Sequence, residues 1–360
     1  MRKSTRFLDA QKNVQAALKS DARLFSPAAH PNGPYSLPTA KRPQPNTYPF
    51  CLPLDAATEN LFAGARGEID RFAGTPIPWH KGVNGGPTTH MCSSQVCCVN
   101  FLSAFSSQPD ALLSLVRELY PDAEQMVPVD PRGEGEFVEF EWIGDPEANY
   151  LDEGRGPNKR RTRGANATSA DAAVRYADGS GNEHVLLIEW KYCESYDDLS
   201  SISLAARLLS LDPQTGTETR SAGTRRSRYE HLLSDVAALP DGVTFDDLCV
   251  EPLYQLMRQQ MLAYAMEQSG EAASVRVLHL SPASNADFKR ITSDTLRDWA
   301  EATSPGEPLA VTDAWRRLLI EGERFEHRTI EGFFAPQLED PSKELAEWAE
   351  YVSLRYPWTT

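Results

Sequence analysis

The chain has 360 residues, 41% of them hydrophobic, and a formal net charge of −15, so it can bury a large core in one decorated domain or two smaller ones. The acidic balance argues against a protein coated in positive potential, as an indiscriminate nucleic-acid binder would be. No apolar run approaches the ~18 residues that cross a bilayer, and six cysteines are too few for a disulfide scaffold. We therefore expect a cytoplasmic protein without membrane contact.

The first 60 residues are predicted to form an N-terminal unit apart from a domain that spans residues 61–360. Residues 5–24 can form a short polar helix, and eight prolines then fall between Pro27 and Pro53. Because proline lacks an amide donor and has a fixed φ, this density prevents a regular helix or a central strand. We interpret the segment as an extended arm, either a strap over the domain surface or a partly disordered leader.

Two helices are predicted next, at 93–105 and 110–120, where apolar residues recur at helical spacing and Pro121 ends the second. Three cysteines, Cys92, Cys97 and Cys98, lie at the start of the first helix. They lack the paired C-x2-C spacing of a zinc site and are too few for an iron–sulfur cluster. We therefore expect small buried thiols rather than metal ligands.

The clearest strand signal lies at 136–143, where apolar and polar residues alternate strictly. Phe140 and Trp142 are expected on one face of this strand, and Glu139 and Glu141 on the other. Either acid is a candidate carboxylate for a site beside the strand, and the alternative is that both are simply solvated.

Basic residues are grouped although the chain is acidic. Two runs without an acid lie in segments rich in Gly, Ser, Thr and Asn, which is typical of loops. They comprise Arg155, Lys159, Arg160, Arg161 and Arg163, and then Arg220, Arg225, Arg226 and Arg228. Each run is either a solvated loop or, beside a metal site, a set of phosphate contacts that give affinity without reading sequence. In the second interpretation Arg160, Arg161 and Arg163 bind nucleic acid.

Two apolar strands, 171–176 and 184–192, are joined by a loop that contains Gly, Ser and Asn, which predicts an antiparallel hairpin. This pairing brings Asp171 at the start of the first strand to Glu189 and Lys191 at the end of the second. Ionised side chains on an apolar strand are costly to bury without a partner, so a ligand is expected there. Two carboxylates suit Mg2+, and an amine suits a phosphate on which negative charge develops.

Asp171, followed by Glu189-Trp190-Lys191, resembles the D…(D/E)-x-K signature of the PD-(D/E)XK nuclease superfamily, which has the restriction-endonuclease-like fold. Further segments resemble those of a bacterial restriction-endonuclease-like group, namely residues 90–95, 100–101, 140–142, 254–258 and 348–356. Ala170 stands where the superfamily signature has proline. The acid rather than the proline carries the chemistry.

The resemblance implies a catalytic role for five residues, the fifth of which, Gln255, lies on a later helix. Asp171 and Glu189 would bind Mg2+, with Mn2+ able to substitute for it. Lys191 would stabilise the charged phosphate, or orient and deprotonate the attacking water. Glu141 would be the third carboxylate of the site, with Glu139 as its rival.

Two more residues, Gln95 and Arg258, are implied in binding nucleic acid. Gln95 would face the metal or the phosphate, or else satisfy buried backbone near the start of its helix. On a later helix, Gln255 would touch the site and Arg258 a phosphate. Gln260 and Tyr264 fit the Gln-x3-Tyr pattern of RecB-like nucleases, but they lie on a different face of that helix from Gln255. Only one of these two faces can pack against the sheet.

The remaining pattern predicts a polar, loop-rich insertion at about 197–245, a helix that begins at Pro252, a strand at 274–281, and helices near 285–301, 312–320 and 342–355. The order helix, strand, strand, strand, helix, strand is that of a restriction-endonuclease-like core. We therefore predict an α/β fold with a central mixed sheet flanked by helices, with the N-terminal proline-rich arm before it and helices at the C-terminal end.

Taken together, the sequence predicts a divalent-metal-dependent endonuclease of the PD-(D/E)XK type that hydrolyses phosphodiester bonds, with DNA as the expected substrate and a defence or restriction role. The alternative is a non-cleaving nucleic-acid-binding or complex-forming subunit of a defence system on the same fold. The expected partners are nucleic acid and either a second copy of the chain, in a homodimer, or a defence-system protein.

Overall fold

A computed structural model describes residues 6–35, 37–39, 41, 43–73, 77–130, 136–145, 147–154, 167–196 and 226–359. Three residues predicted to bind nucleic acid, Arg160, Arg161 and Arg163, lie outside these ranges, as does most of the insertion predicted at 197–245. In the described part of the chain, each helix is too short or too polar to cross a bilayer.

The structure is made of helices and strands with the following bounds. The helices are α1 (Phe7–Leu18), α2 (Glu68–Ala73), α3 (Ser94–Leu102), α4 (Pro109–Arg117), α5 (His231–Val236), α6 (Phe245–Leu248), α7 (Leu253–Gln268), α8 (Asp294–Thr303), α9 (Val311–Leu318), α10 (Ile330–Glu339) and α11 (Ala346–Arg355). The strands are β1 (Gly33–Pro34), β2 (Thr47–Tyr48), β3 (Ala123–Val127), β4 (Glu139–Trp142), β5 (Ala170–Asp178), β6 (Glu183–Trp190), β7 (Ser274–Ser281) and β8 (Phe325–Thr329).

Six of the described strands form one mixed sheet in the order β3-β5-β6-β7-β8, and β4 pairs with the start of β5. β5 pairs antiparallel with β6, whereas β6, β7 and β8 run parallel to one another. Parallel neighbours need crossover connections, and these contain α5 to α7 between β6 and β7, and α8 and α9 between β7 and β8. The predicted α/β fold with a central mixed sheet flanked by helices is confirmed.

The turn between β5 and β6 fixes the register of the hairpin. Gly181 has a φ of +80°, a backbone conformation that glycine adopts without steric cost. The Asp178 carboxylate accepts hydrogen bonds from two loop amides, at 2.8 and 2.9 Å. The resulting antiparallel register pairs Ala172 with Ile188, which confirms the predicted hairpin and brings the start of β5 beside the end of β6.

Each face of the sheet is covered by a hydrophobic core of its own. Leu186, Ile188 and Trp190 pack into a first core shared with α3, α4, α10 and α11. Val185 and Leu187 pack into a second core shared with α5, α7 and α9. The alternation of apolar side chains along β6 explains both cores, because successive residues of a strand point to opposite faces.

The N-terminal segment packs against the domain, as a strap would. The rings of Phe7 and Tyr192 lie 6.2 Å apart between centroids. Gln15 donates from Nε2 to the Tyr192 hydroxyl at 3.3 Å and to the Arg355 carbonyl oxygen at 3.1 Å, and the Tyr192 hydroxyl donates to Gln11 Oε1 at 3.0 Å. Helix α1 therefore packs against the first core, and the domain boundary at residue 60 stays a prediction.

Some elements differ from the prediction for a physical reason. The strands β3 and β8 lie at the edges of the sheet, and neither shows the alternation of a half-buried strand, since β8 buries only its first residue, Phe325. The helix expected at 285–301 begins only at Asp294. Its start is fixed by the Ser293 hydroxyl, which accepts the amide of Leu296 at 3.3 Å and so caps the helix.

Candidate active site

Asp171 and Glu189 meet because β5 begins where β6 ends. Asp171 is the second residue of β5, and its Oδ2 accepts a hydrogen bond from the backbone amide of Trp190 at 2.8 Å. This bond ties the Asp171 side chain to the residue between Glu189 and Lys191. The convergence predicted from the hairpin turn is thereby present in the structure.

Glu189 is fully buried, and both of its carboxylate oxygens accept hydrogen bonds. Lys191 Nζ donates to Oε1, and Gln259 Nε2 donates to Oε2. Lys191 Nζ also donates to Gln255 Oε1 at 2.8 Å. One carboxylate from β6, the amine that follows this strand and two amides from α7 therefore form a connected polar network.

The charges of this network are set by burial and by one another. Burial raises the pKa of Glu189, and the negative charge of Asp171 raises it further, while Lys191 and Gln259 act in the opposite sense. Burial alone would lower the pKa of Lys191, but attraction to Glu189 and other anions nearby holds it well above the ordinary value. These directions favour the protonated form of Lys191, and a further positive charge near Glu189 would favour its ionised form.

Glu141 joins the site through a break in its strand. Its φ of +51° interrupts the strict alternation predicted for this segment, and the side chain is buried, with 4% exposed. It accepts hydrogen bonds from Gln95 Nε2 at 2.7 Å and from the Ser169 hydroxyl at 3.1 Å. The rival acid Glu139 instead forms an ion pair with Arg71 at 3.1 Å.

Gln95 bonds to one buried side chain and to one loop amide. Besides donating to Glu141, its Oε1 accepts the backbone amide of His80 at 2.8 Å. Gln95 therefore satisfies a backbone amide of the loop before its helix rather than one at the start of the helix. Its contact with a metal or with nucleic acid stays a prediction.

Helix α7 presents one face to the site. Gln255 and Gln259 are four residues apart, and both donate or accept hydrogen bonds in the Glu189 network, as residues on one helix face can. Gln260 and Tyr264 line a separate cavity together with Arg324. The structure thus brings the Gln255 face to the site and leaves the Gln-x3-Tyr pattern away from it.

Two cavities open onto the polar network. The larger, of about 330 Å3, is lined by Asp171, Lys191, Gln95 and Gln255 among others. The smaller, of about 190 Å3, is lined by Glu141, Asp171, Gln255, Ser169, Arg258 and Gln259. Asp171 and Gln255 line both cavities, whereas the fully buried Glu189 lines neither.

Arg258 lies beside the smaller cavity but has a structural partner. Its guanidinium forms an ion pair with the buried Glu153 at 3.3 Å and donates from Nε to the Thr168 hydroxyl at 3.0 Å. The ring of Tyr254 lies 5.2 Å from the guanidinium carbon. These contacts explain its burial, and its predicted contact with a phosphate stays a prediction.

The converging carboxylates fit a hard divalent cation. In the part of the chain that the structure describes, no group of three or more His, Cys, Asp or Glu side chains is arranged to hold a metal by itself. Mg2+ does not need such a group, because it is commonly bound by one or two carboxylates together with water and phosphate oxygens. Asp171 raises the pKa of Glu189 across the site, and a cation between them would relieve that repulsion. Cys92, Cys97 and Cys98 are buried thiols, as predicted.

Two residues were not assigned to the site from the sequence. Gln259 donates to Glu189, and Ser169 donates to Glu141. The helical spacing from Gln255 was a signal for Gln259, because residues four apart share a face. Ser169 carries no such signal, since only the fold brings the residue before β5 to Glu141.

The fold and the polar network at the ends of β5 and β6 define a restriction-endonuclease-like protein. The chain belongs to the family described as restriction endonuclease associating with ARP, whose model matches residues 12–357. No curated protein and no solved structure matches the chain significantly.

Proposed function

We propose that the protein is a divalent-metal-dependent nuclease of the PD-(D/E)XK type that hydrolyses phosphodiester bonds of DNA in the cytoplasm, in a defence or restriction role. The observation that carries the proposal is the convergence of Asp171, Glu189 and the cationic Lys191 beside a cavity. Membership in a family described as restriction endonucleases supports the same class of activity.

Asp171 and Glu189 would hold Mg2+, or Mn2+ in its place. A bound divalent cation supplies a Lewis acid for the phosphoryl oxygen and lowers the pKa of coordinated water. Lys191 carries a positive charge and points its amine into the same network, so it would stabilise the negative charge that develops on the phosphate. Gln255 holds the Lys191 amine in place, and Gln95 holds the Glu141 carboxylate.

A cleavage assay across nucleic-acid forms tests this proposal. Single-stranded and duplex DNA and RNA are incubated with the wild type in Mg2+, in Mn2+ and in EDTA. The variants Asp171→Ala and Lys191→Ala are assayed in parallel, with Glu307→Ala, an exposed acid far along the chain, as the matched control. We expect metal-dependent cleavage of DNA by the wild type and the control alone. Equal cleavage by all four proteins would refute the assigned site.

A second candidate is a non-cleaving subunit that binds nucleic acid and acts through a partner. It is favoured by the family description, which states an association with ARP, an association that we extend to this chain. It is also favoured by the saturation of both Glu189 oxygens by Lys191 and Gln259. Binding of DNA without hydrolysis, unchanged in Lys191→Ala and equally strong in EDTA, would support this candidate over the first.

A further inference from the structure

The larger cavity is lined by Asp171 of the candidate site and also by a basic and aromatic group. Its lining includes the buried Lys191 and the half-buried Asp171 and Glu194, and also the exposed Tyr35 and Lys81 with the half-buried His90. Its volume of about 330 Å3 lies at the lower end of the range for ligand pockets. A cavity of this size has room for a group no larger than about one nucleotide.

Lys81 is held beside the cavity by an uncommon backbone conformation. Its φ is +50°, a value that residues other than glycine rarely adopt, and its side chain is exposed. The loop that follows is closed by the amide of Gly86, which donates to the Val83 carbonyl oxygen at 2.8 Å. Non-glycine residues with positive φ persist where the surrounding structure enforces them, and they cluster at ligand-binding sites.

The ammonium group of Lys81 rests on an aromatic ring instead of an acid. Lys81 Nζ lies 3.9 Å from the centroid of the Tyr35 ring, which is close for a cation–π contact. Within the described ranges, Lys81 forms no ion pair with a carboxylate. Its charge is therefore oriented by Tyr35, and Lys81 lines the same cavity as the acids Asp171 and Glu194.

Tyr35 belongs to the N-terminal arm and is anchored to the loop before α3. The hydroxyl of Thr89 donates to the Pro34 carbonyl oxygen at 2.6 Å, and the Tyr35 and His90 rings meet edge to face at 4.8 Å. Burial, together with the nearby Lys12 and Lys81, lowers the pKa of His90 to about 4. The imidazole is therefore neutral at pH 7, and Lys81 supplies the positive charge of this group.

We propose that Lys81, oriented by Tyr35, forms a second phosphate-binding subsite, which holds the phosphate of the nucleotide next to the scissile one on the strand that is cut. The inference rests on the proposed nuclease function, because the neighbouring phosphate is defined by the position of cleavage. The positive Lys81 and the acidic Asp171 line the same cavity, along which one strand would lie. The N-terminal arm is then part of the substrate-binding surface.

Binding measured without cleavage tests the subsite. A fluorescently labelled DNA single strand and the corresponding duplex are titrated by anisotropy in Ca2+ at several salt concentrations. The variants are Lys81→Gln, which removes the charge, Lys81→Arg, which restores it, Tyr35→Ala and Tyr35→Phe. Lys343→Gln, at an exposed position outside the cavity, is the matched control.

We expect Lys81→Gln to weaken binding about tenfold. It should also lower the magnitude of the slope of log K against log salt by about 0.7 for the single strand or about 0.9 for the duplex, because these are the values for one lost phosphate contact. Lys81→Arg and Tyr35→Phe should bind like the wild type, and Tyr35→Ala should bind more weakly. A single uncharged methylphosphonate linkage, moved along the strand, should weaken binding by the wild type at one position and leave Lys81→Gln unaffected there.

The outcomes separate the subsite from the nuclease proposal. An unchanged salt slope in Lys81→Gln, with normal cleavage by the wild type, would overturn the subsite alone. A lowered slope in Lys81→Gln without any cleavage by the wild type would keep the subsite as a nucleic-acid contact and overturn the nuclease. A wild type that binds neither DNA form would overturn both.

Discussion

Replacing Asp171 by asparagine should remove metal binding while the fold is kept. Asparagine retains an oxygen at the position where Asp171 Oδ2 accepts the Trp190 amide, so the hydrogen bond to the backbone can remain. The loss of charge weakens that bond by about 1 kcal/mol. It also removes the anion that raises the pKa of the buried Glu189, which offsets part of the loss.

The size of the metal effect follows from linkage. A ligand present at 100 times its dissociation constant stabilises the folded state by about 2.7 kcal/mol. For a chain of 360 residues, with an unfolding entropy of about 2.1 cal/mol/K per residue, this stabilisation raises Tm by roughly 4 °C. The wild type should show this increase with saturating Mg2+, and Asp171→Asn should show none.

Thermal unfolding followed by circular dichroism, with Mg2+ and with EDTA, measures the Tm of the metal-free protein and its increase with Mg2+ in one experiment. Glu307→Gln serves as the control, because this acid is exposed and does not line either cavity beside Asp171. An Asp171→Asn variant that keeps the full metal-dependent increase in Tm would refute the assignment of Asp171 as a metal ligand. If the Tm of Asp171→Asn in EDTA were many degrees below that of the wild type in EDTA, Asp171 would instead be needed for folding.

Three further predictions follow from buried contacts. Glu153→Ala should lower the free energy of unfolding by about 3 to 5 kcal/mol in urea titrations, because it leaves the buried Arg258 without its ion-pair partner; a loss below about 1 kcal/mol would contradict this. Burial lowers the pKa of His327 to about 4, so the folded state favours the neutral imidazole. The contribution of His327 to the free energy of unfolding, up to about 3 kcal/mol, is therefore present above pH 6.5 and is lost as pH falls towards 4. His327→Gln should therefore show a shallower loss of stability between pH 7 and 5 than the wild type, and identical profiles would argue against it. Gln255→Leu should lower kcat about tenfold with KM unchanged, since it removes one hydrogen bond to the charged Lys191; a pure KM effect in steady-state kinetics would point to substrate contact instead.

The centre of the sheet could be predicted from the sequence because its signals are local and agree with one another. The loop between β5 and β6 specifies a hairpin, and the alternation along β6 specifies which side chains enter which core. Together they bring Asp171 to the amide of Trp190. Turn chemistry and alternation act over a few residues, so they can be recognised without knowledge of the fold.

The remaining parts of the site depend on contacts that no local pattern encodes. Glu141 is buried because a positive φ turns it inward at one residue of β4, whereas the sequence pattern predicts regular alternation. Ser169 meets Glu141 across 28 positions of sequence, in a segment without a distinctive motif. Lys81 and Tyr35 meet only because the proline-rich arm folds back over the loop.

The edge strand β8 is a part of the fold that likewise has no local signal in the sequence. It pairs in parallel with β7, although its sequence, from Phe325 to Thr329, alternates poorly and buries little. A strand at an edge has only one neighbour and can be held mainly by backbone hydrogen bonds. Its formation therefore depends on the crossover connection that places it beside β7 rather than on its own side chains.

The anchoring of Tyr192 by the N-terminal helix bears on how shortened versions of this protein should be judged. Gln11 and Gln15 both hydrogen-bond to the hydroxyl of Tyr192, and Tyr192 directly follows Lys191 in the chain. Starting the chain at residue 60 would strip a buried phenol of its partners one residue from the proposed catalytic amine. Inactivity of such a fragment could therefore result from a disturbed structure around Lys191 at the end of β6. Point substitutions in the arm are the informative way to examine its role in substrate binding.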